Sequence, residues 1–178
     1  MSVEELTLTI YGNPALRRRS VEVEEIGHDL EALIERMFEV MYEEEGVGLA
    51  APQVGVNKRI MVFDVPIDDE PNYRGVLLNP KILETKGEQT ASEGCLSIPG
   101  LRDEVTRHDW LRVRGMNEKG EPVEFECRGL LSRAVQHEVD HLDGILFIDR
   151  MSPIRRRLLT KELENIKGEF GHGSGVAP

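Results

Sequence analysis

The fold class follows from residues 110–142, which read WLRVRGMNEKGEPVEFECRGLLSRAVQHEVDHL. Apolar and acidic side chains alternate over 122–127, which is typical of a half-buried strand. A second strand is expected over 110–116, joined to the first by a polar loop that contains glycine. A helix is then expected over 130–142, where apolar residues recur at helical spacing. This stretch therefore predicts a β-hairpin followed directly by a helix.

Further elements are predicted on both sides of this stretch. Apolar residues at helical spacing predict a helix over 29–44, and apolar runs bounded by proline and acidic residues predict strands over 59–65 and 75–83. A last helix is expected over 153–167, with proline in its first turn. Strands that precede two late helices indicate an α+β fold, with mostly antiparallel strands packed around a central helix.

Composition narrows the class of protein. The chain has 178 residues and a formal net charge of −11, which suits one domain over 1–170 and disfavours general binding to nucleic acid or anionic membranes. Its two cysteines are too few for a disulfide scaffold. The sequence shows no charged-then-apolar leader and no long apolar run, so we expect a cytosolic protein without a membrane span. The small, glycine-rich residues 171–178 are expected to form a flexible tail.

Residues 137–141, His-Glu-Val-Asp-His, carry the strongest chemical signal. On a helix, His137 and His141 lie one turn apart on the same face, so both imidazoles can reach one metal ion. Glu138 lies beside the first histidine, where a carboxylate can take a proton from metal-bound water. The same five residues can also arise by chance on a solvated helix, so the motif alone does not settle the function.

A catalytic metal usually has three protein ligands and one open position, so a third ligand is needed. A metzincin-like continuation of the motif would place that ligand at Phe147, which cannot bind a metal. A carboxylate on the last helix, Glu162 or Glu164, is a second candidate, and the thiolate of Cys95 is a third. Cys95 can equally be a buried, inert cysteine, as we expect for Cys127.

Residues 46–55 form a third segment of interest and read GVGLAAPQVG. The glycines allow another backbone or a ligand to approach closely, and Gln53 offers an amide donor. Close packing of a helix on a sheet explains the same pattern equally well. The segment lacks the Lys-Ser/Thr pair of a phosphate-binding loop, which excludes that reading.

Together these segments resemble the peptide deformylases. That family is marked by a glycine-rich segment ending in Gln, a Glu-Gly-Cys-x-Ser segment and a helix with a His-Glu motif, and the chain matches them in that order at 46–53, 93–97 and 136–141. Residues 12–16, Gly-Asn-Pro-Ala-Leu, also resemble its N-terminal segment, with Asn13 in place of an acidic residue. The resemblance implies a metal-dependent hydrolase that removes the N-formyl group from the N-terminal methionine of new proteins and releases formate.

The resemblance also assigns roles to individual residues. It implies one metal ion held by Cys95, His137 and His141. The metal is expected to be Fe²⁺, with Zn²⁺, Ni²⁺ or Co²⁺ able to occupy the site, because spacing cannot select among them. Glu138 would be the general base, and the Gln53 side-chain amide and the Leu96 backbone N–H would stabilise the anionic oxygen of the reacting group.

A pocket for the methionine side chain is implied beside the helix that carries the histidines. The residues expected to line it or to approach the peptide backbone are Val47, Gly48, Gly94, Leu130 and Ala134. Arg133 is expected either to close the rim, with its charge in water, or to point into solvent. Glu93 and Asp140 are expected either to orient a ligand histidine or a neighbouring arginine, or to be surface charges, and Arg102 is a candidate for contact with the substrate.

The basic residues 155–157 lie in an otherwise acidic chain. They are expected either to dock the ribosome, where formylated chains emerge, or to pair with Glu162 and Glu164 on a solvated helix. The implied partners are N-formylmethionyl peptides of nascent chains in a bacterial cytoplasm, with no membrane and no sequence-specific nucleic acid. A zinc peptidase and a non-catalytic binding module are the competing hypotheses, and intact Cys95 and Glu138 argue against the second.

Overall fold

The computed structural model describes residues 3–68 and 70–170, so the tail expected over 171–178 lies outside the described residues. The helices are α1 (His28–Glu43), α2 (Gly129–Leu142), α3 (Pro153–Leu158) and α4 (Thr160–Phe170). The strands are β1 (Gly48–Ala50), β2 (Ile60–Ile67), β3 (Glu70–Lys86), β4 (Gln89–Cys95), β5 (Ile98–Arg107), β6 (Trp110–Met116) and β7 (Pro122–Arg128). No helix in these ranges is long and apolar enough to cross a membrane.

Five strands form one antiparallel sheet in the order β1-β2-β3-β6-β7, and β4 and β5 form a separate antiparallel hairpin. Along β2, Ile60 and Val62 pack in a cluster with α1, whereas Met61 and Phe63 pack in a cluster with α2. Because side chains alternate across a strand, the two helices lie on opposite faces of the sheet. This confirms the α+β fold of mostly antiparallel strands.

The hairpin and helix predicted over 110–142 are confirmed. Strands β6 and β7 pair from Trp110↔Arg128 to Met116↔Pro122. The side chain of Asn117 stabilises the loop by accepting hydrogen bonds from the N–H groups of Lys119 (3.0 Å) and Glu121 (2.9 Å). Helix α2 begins at Gly129, directly after β7, so its position is fixed by the hairpin that precedes it.

The hairpin of β4 and β5 was not predicted from the sequence. Gly94, Pro99 and Gly100 interrupt the apolar alternation, and the register shifts between Gly94 and Cys95. Because of these features, the alternation in the sequence does not reveal two strands that pair over most of their length. The error matters because Cys95 is the last residue of β4 and owes its position to this pairing.

The single helix expected over 153–167 is wrong, because the segment forms α3 and α4 with a break at Leu159. Helix α3 buries no residue, whereas α4 packs against a third core cluster through Leu163. The pairing expected between the basic residues and Glu162 and Glu164 is also wrong. Arg155 instead contacts acidic residues of β5, and Arg156 contacts an acidic residue before α3.

Candidate metal centre

Three ligand atoms converge at the contact between β4 and α2. The Sγ of Cys95 lies 3.2 Å from the Nε2 of His141, which lies 3.2 Å from the Nε2 of His137. All three atoms lie within 4.8 Å of one another. The histidines are one turn apart on α2, and the thiol comes from the end of β4, so the fold brings together residues that are far apart in sequence.

The donor set fits one metal ion. In a tetrahedral site with bonds of about 2.0–2.3 Å, neighbouring ligand atoms lie about 3.3–3.6 Å apart. The 3.2 Å separations, between Sγ of Cys95 and Nε2 of His141 and between the two Nε2 atoms, are close to this spacing. The candidates Glu162 and Glu164 are exposed on α4 and lie outside the group. Phe147 is buried and stacks on the ring of His137 instead.

Glu93 orients the first histidine. Its Oε1 lies 2.6 Å from the Nδ1 of His137, so the proton sits on Nδ1 and leaves Nε2 free to face the other two ligand atoms. Arg107 and Arg133 also donate to this carboxylate, each at 2.6 Å. Burial alone would raise the pKa of Glu93, but the hydrogen bonds from His137 and Arg107 hold that pKa well below its usual range. Glu93 is therefore ionised and fixed by three partners.

This network corrects the expectation for Arg133, and for Asp140 it agrees with the alternative in which the carboxylate orients neighbouring arginines. Arg133 neither points into solvent nor keeps its charge in water, because its guanidinium is buried and also donates to the backbone oxygen of Gln89 at 3.1 Å. Asp140 is not a surface charge. It is buried and accepts hydrogen bonds from Arg107 at 2.5 Å and from Arg150 at 2.6 Å. Buried charges are tolerated when they are paired, and here each has at least one partner of opposite sign.

The carboxylate of Glu138 is buried beside the ligand cluster. Its Oε2 has no hydrogen-bond partner among the described residues, and burial raises its pKa to about 7. The backbone of Gly48 lies against it, since a Cβ at that position would come within 2.6 Å of Oε1. A carboxyl group with a free oxygen and a pKa near neutrality is suited to accept and return a proton.

The amide of Gln53 approaches the cluster from the other side. Its Oε1 accepts a hydrogen bond from the N–H of Ala50 at 2.8 Å, which turns Nε2 towards Cys95 Sγ (3.7 Å) and Ser97 Oγ (3.2 Å). Leu96 and Ser97 form the turn between β4 and β5, because Cys95 pairs with Ile98. The amide donor and the turn backbone therefore lie beside the thiol.

A cleft of about 610 Å³ opens onto these groups. It is lined by the segment around β1, by the turn between β4 and β5 with the residues on both sides of it, and by α2. It is lined by all the residues expected to contact the substrate, namely Val47, Gly48, Gly94, Leu130 and Ala134. Val47 and Leu130 are 38% and 46% exposed, so apolar surface is open to an incoming side chain. Arg102 lies at the rim and donates to Ser92 Oγ at 3.4 Å.

Sequence reasoning missed Arg107, Arg150 and Ser97. Arg107 lies two residues after the buried Val105 on β5, so its inward direction would have followed from period-two alternation had the strand been recognised. Nothing in the sequence signalled Arg150. Cys127 lies in the core between the sheet and α2, where burial raises its pKa to about 12, in line with the expected inert thiol.

A helix with His-Glu and a second histidine one turn later, completed by a thiol from a neighbouring strand, defines a metallohydrolase site. Known proteins identify the family. The polypeptide deformylase profile matches residues 6–157. A peptide deformylase from Thermodesulfovibrio yellowstonii is 43% identical over 91% of this chain and 98% of its own length, and one from Clostridium botulinum is 51% identical over 79% and 92%. The crystal structure of a peptide deformylase from Legionella pneumophila matches with a TM-score of 0.84 at 37% identity, covering 95% of this chain and 99% of that one.

The chain therefore belongs to the polypeptide deformylase family. Members of this family are metal-dependent hydrolases that remove the N-formyl group from nascent peptides. The resemblance, fold class and enzyme class inferred from the sequence are thus confirmed.

Proposed function

We propose that this chain performs the deformylation of its family through one metal ion held by Cys95, His137 and His141, with Glu138 as the group that moves the proton. The observation that carries this proposal is the convergence of the thiol and the two Nε2 atoms beside a buried carboxylate with a free oxygen. A structural metal site would have four protein ligands, whereas three leave one position for a reactant.

In the proposed reaction, the metal ion and the side chains have different roles. When bound, the ion supplies Lewis-acid activation of water and of the formyl group. Glu138 accepts the proton from the attacking water and delivers it to the methionine nitrogen as the C–N bond breaks, which leaves formate and a free amino terminus. The Gln53 amide and the Leu96 backbone N–H donate hydrogen bonds to the formyl oxygen as it gains negative charge. Glu93 keeps the Nε2 of His137 available throughout.

The cleft selects the substrate. Val47, Leu130 and Ala134 offer an apolar lining for the unbranched thioether of an N-terminal methionine. Gly48 on β1 and Gly94 on β4 also line the cleft, where backbone without a side chain can approach an extended peptide. A formylated methionyl peptide therefore suits the cleft in both shape and polarity.

We propose Fe²⁺ as the native metal. A thiolate with two imidazoles suits iron and zinc alike, and the resemblance to deformylases favours iron. Protein purified without oxygen should therefore contain iron and lose activity in air, while zinc-loaded protein should be stable in air and slower. Metal analysis of anaerobic protein that finds zinc with full activity would contradict the assignment.

The decisive experiment is anaerobic turnover of a formyl-Met dipeptide by iron-loaded protein, with formate detected as product. Removing the proton-moving group in Glu138→Gln should abolish formate release while the metal stays bound. The matched control is Glu162→Gln, which removes an exposed carboxylate from α4 and should leave the rate unchanged. Wild-type protein that binds metal and releases no formate would overturn the proposed substrate.

We further propose that residues 1–170 form a single catalytic domain and that the enzyme works in a bacterial cytoplasm. We also propose that it docks the ribosome through α3. Two observations support the docking surface. Ile154 and Leu158 are 75% and 71% exposed, and Arg157 forms no ion pair within the described residues. Co-sedimentation with ribosomes should fall for Arg157→Glu and not for the control Lys86→Glu. Equal co-sedimentation of both variants would contradict docking through α3.

A further inference from the structure

A second cleft, of about 820 Å³, lies on the side of α2 that faces away from the metal centre. Val139 and Asp143 line it, and they are four residues apart, as the two ligand histidines are. Val139 is two residues from His137, which corresponds to about 200° around the helix. None of the residues that line the second cleft belongs to the metal centre or to the substrate cleft.

The second cleft is cationic although the chain is acidic. Arg19, Arg59, Lys81 and Arg114 line it, against Glu22 and Asp143. Asp143 lies 2.8 Å from Arg59 and 3.7 Å from Arg19, so one carboxylate is shared by two arginines. With a net charge of −11, the chain as a whole repels anions, so the excess of four cations over two carboxylates in this cleft is opposite in sign to the overall charge.

Two of these cations lie directly opposite each other without a counter-ion. Lys81 on β3 and Arg114 on β6 are register partners, and like charges in this position destabilise a sheet. Neither forms an ion pair anywhere in residues 3–68 and 70–170. Glu124 is the partner of Arg114 on β7, but its carboxylate contacts Arg112 instead, at 3.6 Å. Both residues line the cleft, so the pair contributes two cations without counter-ions to it.

A buried hydroxyl group in the same cleft also lacks a partner. Ser20 is 6% exposed, and its Oγ makes no hydrogen bond with any described residue. Its backbone N–H donates to the Leu142 oxygen at 2.8 Å, so the residue is anchored to the end of α2. Buried hydroxyl groups nearly always have a partner, so this one is available to a ligand.

We propose that this cleft binds a phosphate group. A tetrahedral oxyanion offers acceptor oxygens and needs none in return, which matches guanidinium, ammonium and hydroxyl donors around one cavity. The phosphate is either free inorganic phosphate or a phosphodiester of RNA, because both present the same oxygens. Contacts to phosphate oxygens depend on charge and do not distinguish one base sequence from another.

The test uses full-length, zinc-loaded protein and two-dimensional NMR, with sodium phosphate as the probe and sodium chloride at equal ionic strength as the blank. The cleft variant is Lys81→Gln with Arg114→Gln. The matched control is Lys86→Gln with Arg112→Gln, which removes the same charges from the same two strands. Phosphate should cause saturable shifts at amides lining the cleft, about tenfold weaker or more in the cleft variant and within about twofold of wild type in the control.

Absence of saturable shifts in wild type, or equal affinity in the two variants, would overturn the proposal. Ser20→Ala should also weaken phosphate binding without lowering the thermal midpoint. A short RNA hairpin identifies the source of the phosphate. RNA that binds at least about tenfold more tightly than phosphate, and only when Lys81 and Arg114 are intact, indicates a phosphodiester partner. RNA binding no tighter than phosphate indicates the free anion.

Discussion

Replacing Gly48 with alanine should displace the Glu138 carboxylate without removing it. The variant therefore tests whether the position of this carboxylate sets the rate. Gly48 is not among the glycines with positive φ, so alanine can adopt its backbone conformation. The new Cβ would lie 2.6 Å from Oε1, whereas ordinary contact begins at 3.4 Å, so the carboxylate must retreat by about 0.8 Å. A displacement near 1 Å costs about 100-fold in rate, and we expect kcat to fall by that order. The crowding should lower the free energy of unfolding by about 1–3 kcal/mol.

The assay is steady-state formate release by anaerobic, iron-loaded protein, with metal content and urea unfolding measured on the same samples. The control is Gly27→Ala, because a Cβ there meets nothing within 4 Å. Combining Gly48→Ala with Glu138→Gln should lower kcat no further than Glu138→Gln alone, since both changes act on the same group. A Gly48→Ala protein with full metal and kcat within about twofold of wild type would refute the reasoning about carboxylate position.

Three further predictions follow from the contacts around the metal centre and the C-terminal region. Glu93→Gln removes the carboxylate that fixes a ligand ring, so metal affinity should fall by about 10- to 100-fold in a chelator competition, and unchanged affinity would contradict the orienting role. Cys95→Ala should lose the metal on analysis, whereas Glu162→Ala should keep it, and the reverse result would restore the carboxylate-ligand alternative. Burial would raise the pKa of Asp149, but its hydrogen bonds, above all from Arg17, lower it. This carboxyl therefore contributes stability above about pH 4 that is lost as pH falls through its lowered pKa, and Asp149→Asn should flatten the acid side of a urea-midpoint profile.

The parts of the site that rest on local geometry could be predicted from the sequence. His137 and His141 share a helix face because four residues make about one turn, whatever the rest of the fold does. The hairpin before that helix was equally predictable, since alternation and a glycine-containing loop are local signals. The family resemblance supplied Cys95, which the spacing alone left open among three candidates.

Glu93 and Asp140 were expected to orient a ligand histidine or a neighbouring arginine, but the arginines that pair with them could not be predicted, because these partners meet only through tertiary structure. Arg107 lies between Thr106 and His108 in a segment where no strand was predicted, so no local pattern gave the direction of its side chain. Its burial depends on Glu93 across the β4–β5 hairpin and on Asp140 from α2. Such contacts are set by register and packing, which a single sequence does not display.

The ligands of the metal centre come from two parts of the fold that are built separately. Strands β4 and β5 pair with each other and stand outside the five-stranded sheet, whereas the histidines belong to the helix packed on that sheet. Cys95 and His137 are 42 residues apart, and closing a flexible loop of that length costs about 3 kcal/mol. An ion held by these residues would add one more link between hairpin and helix, beside the buried ion pairs of Glu93 with Arg133 and of Arg107 with Asp140, as well as serve the reaction. Loss of the ion would remove one of these links and leave the ion pairs, so catalytic decay should be accompanied by a partial loosening of the hairpin.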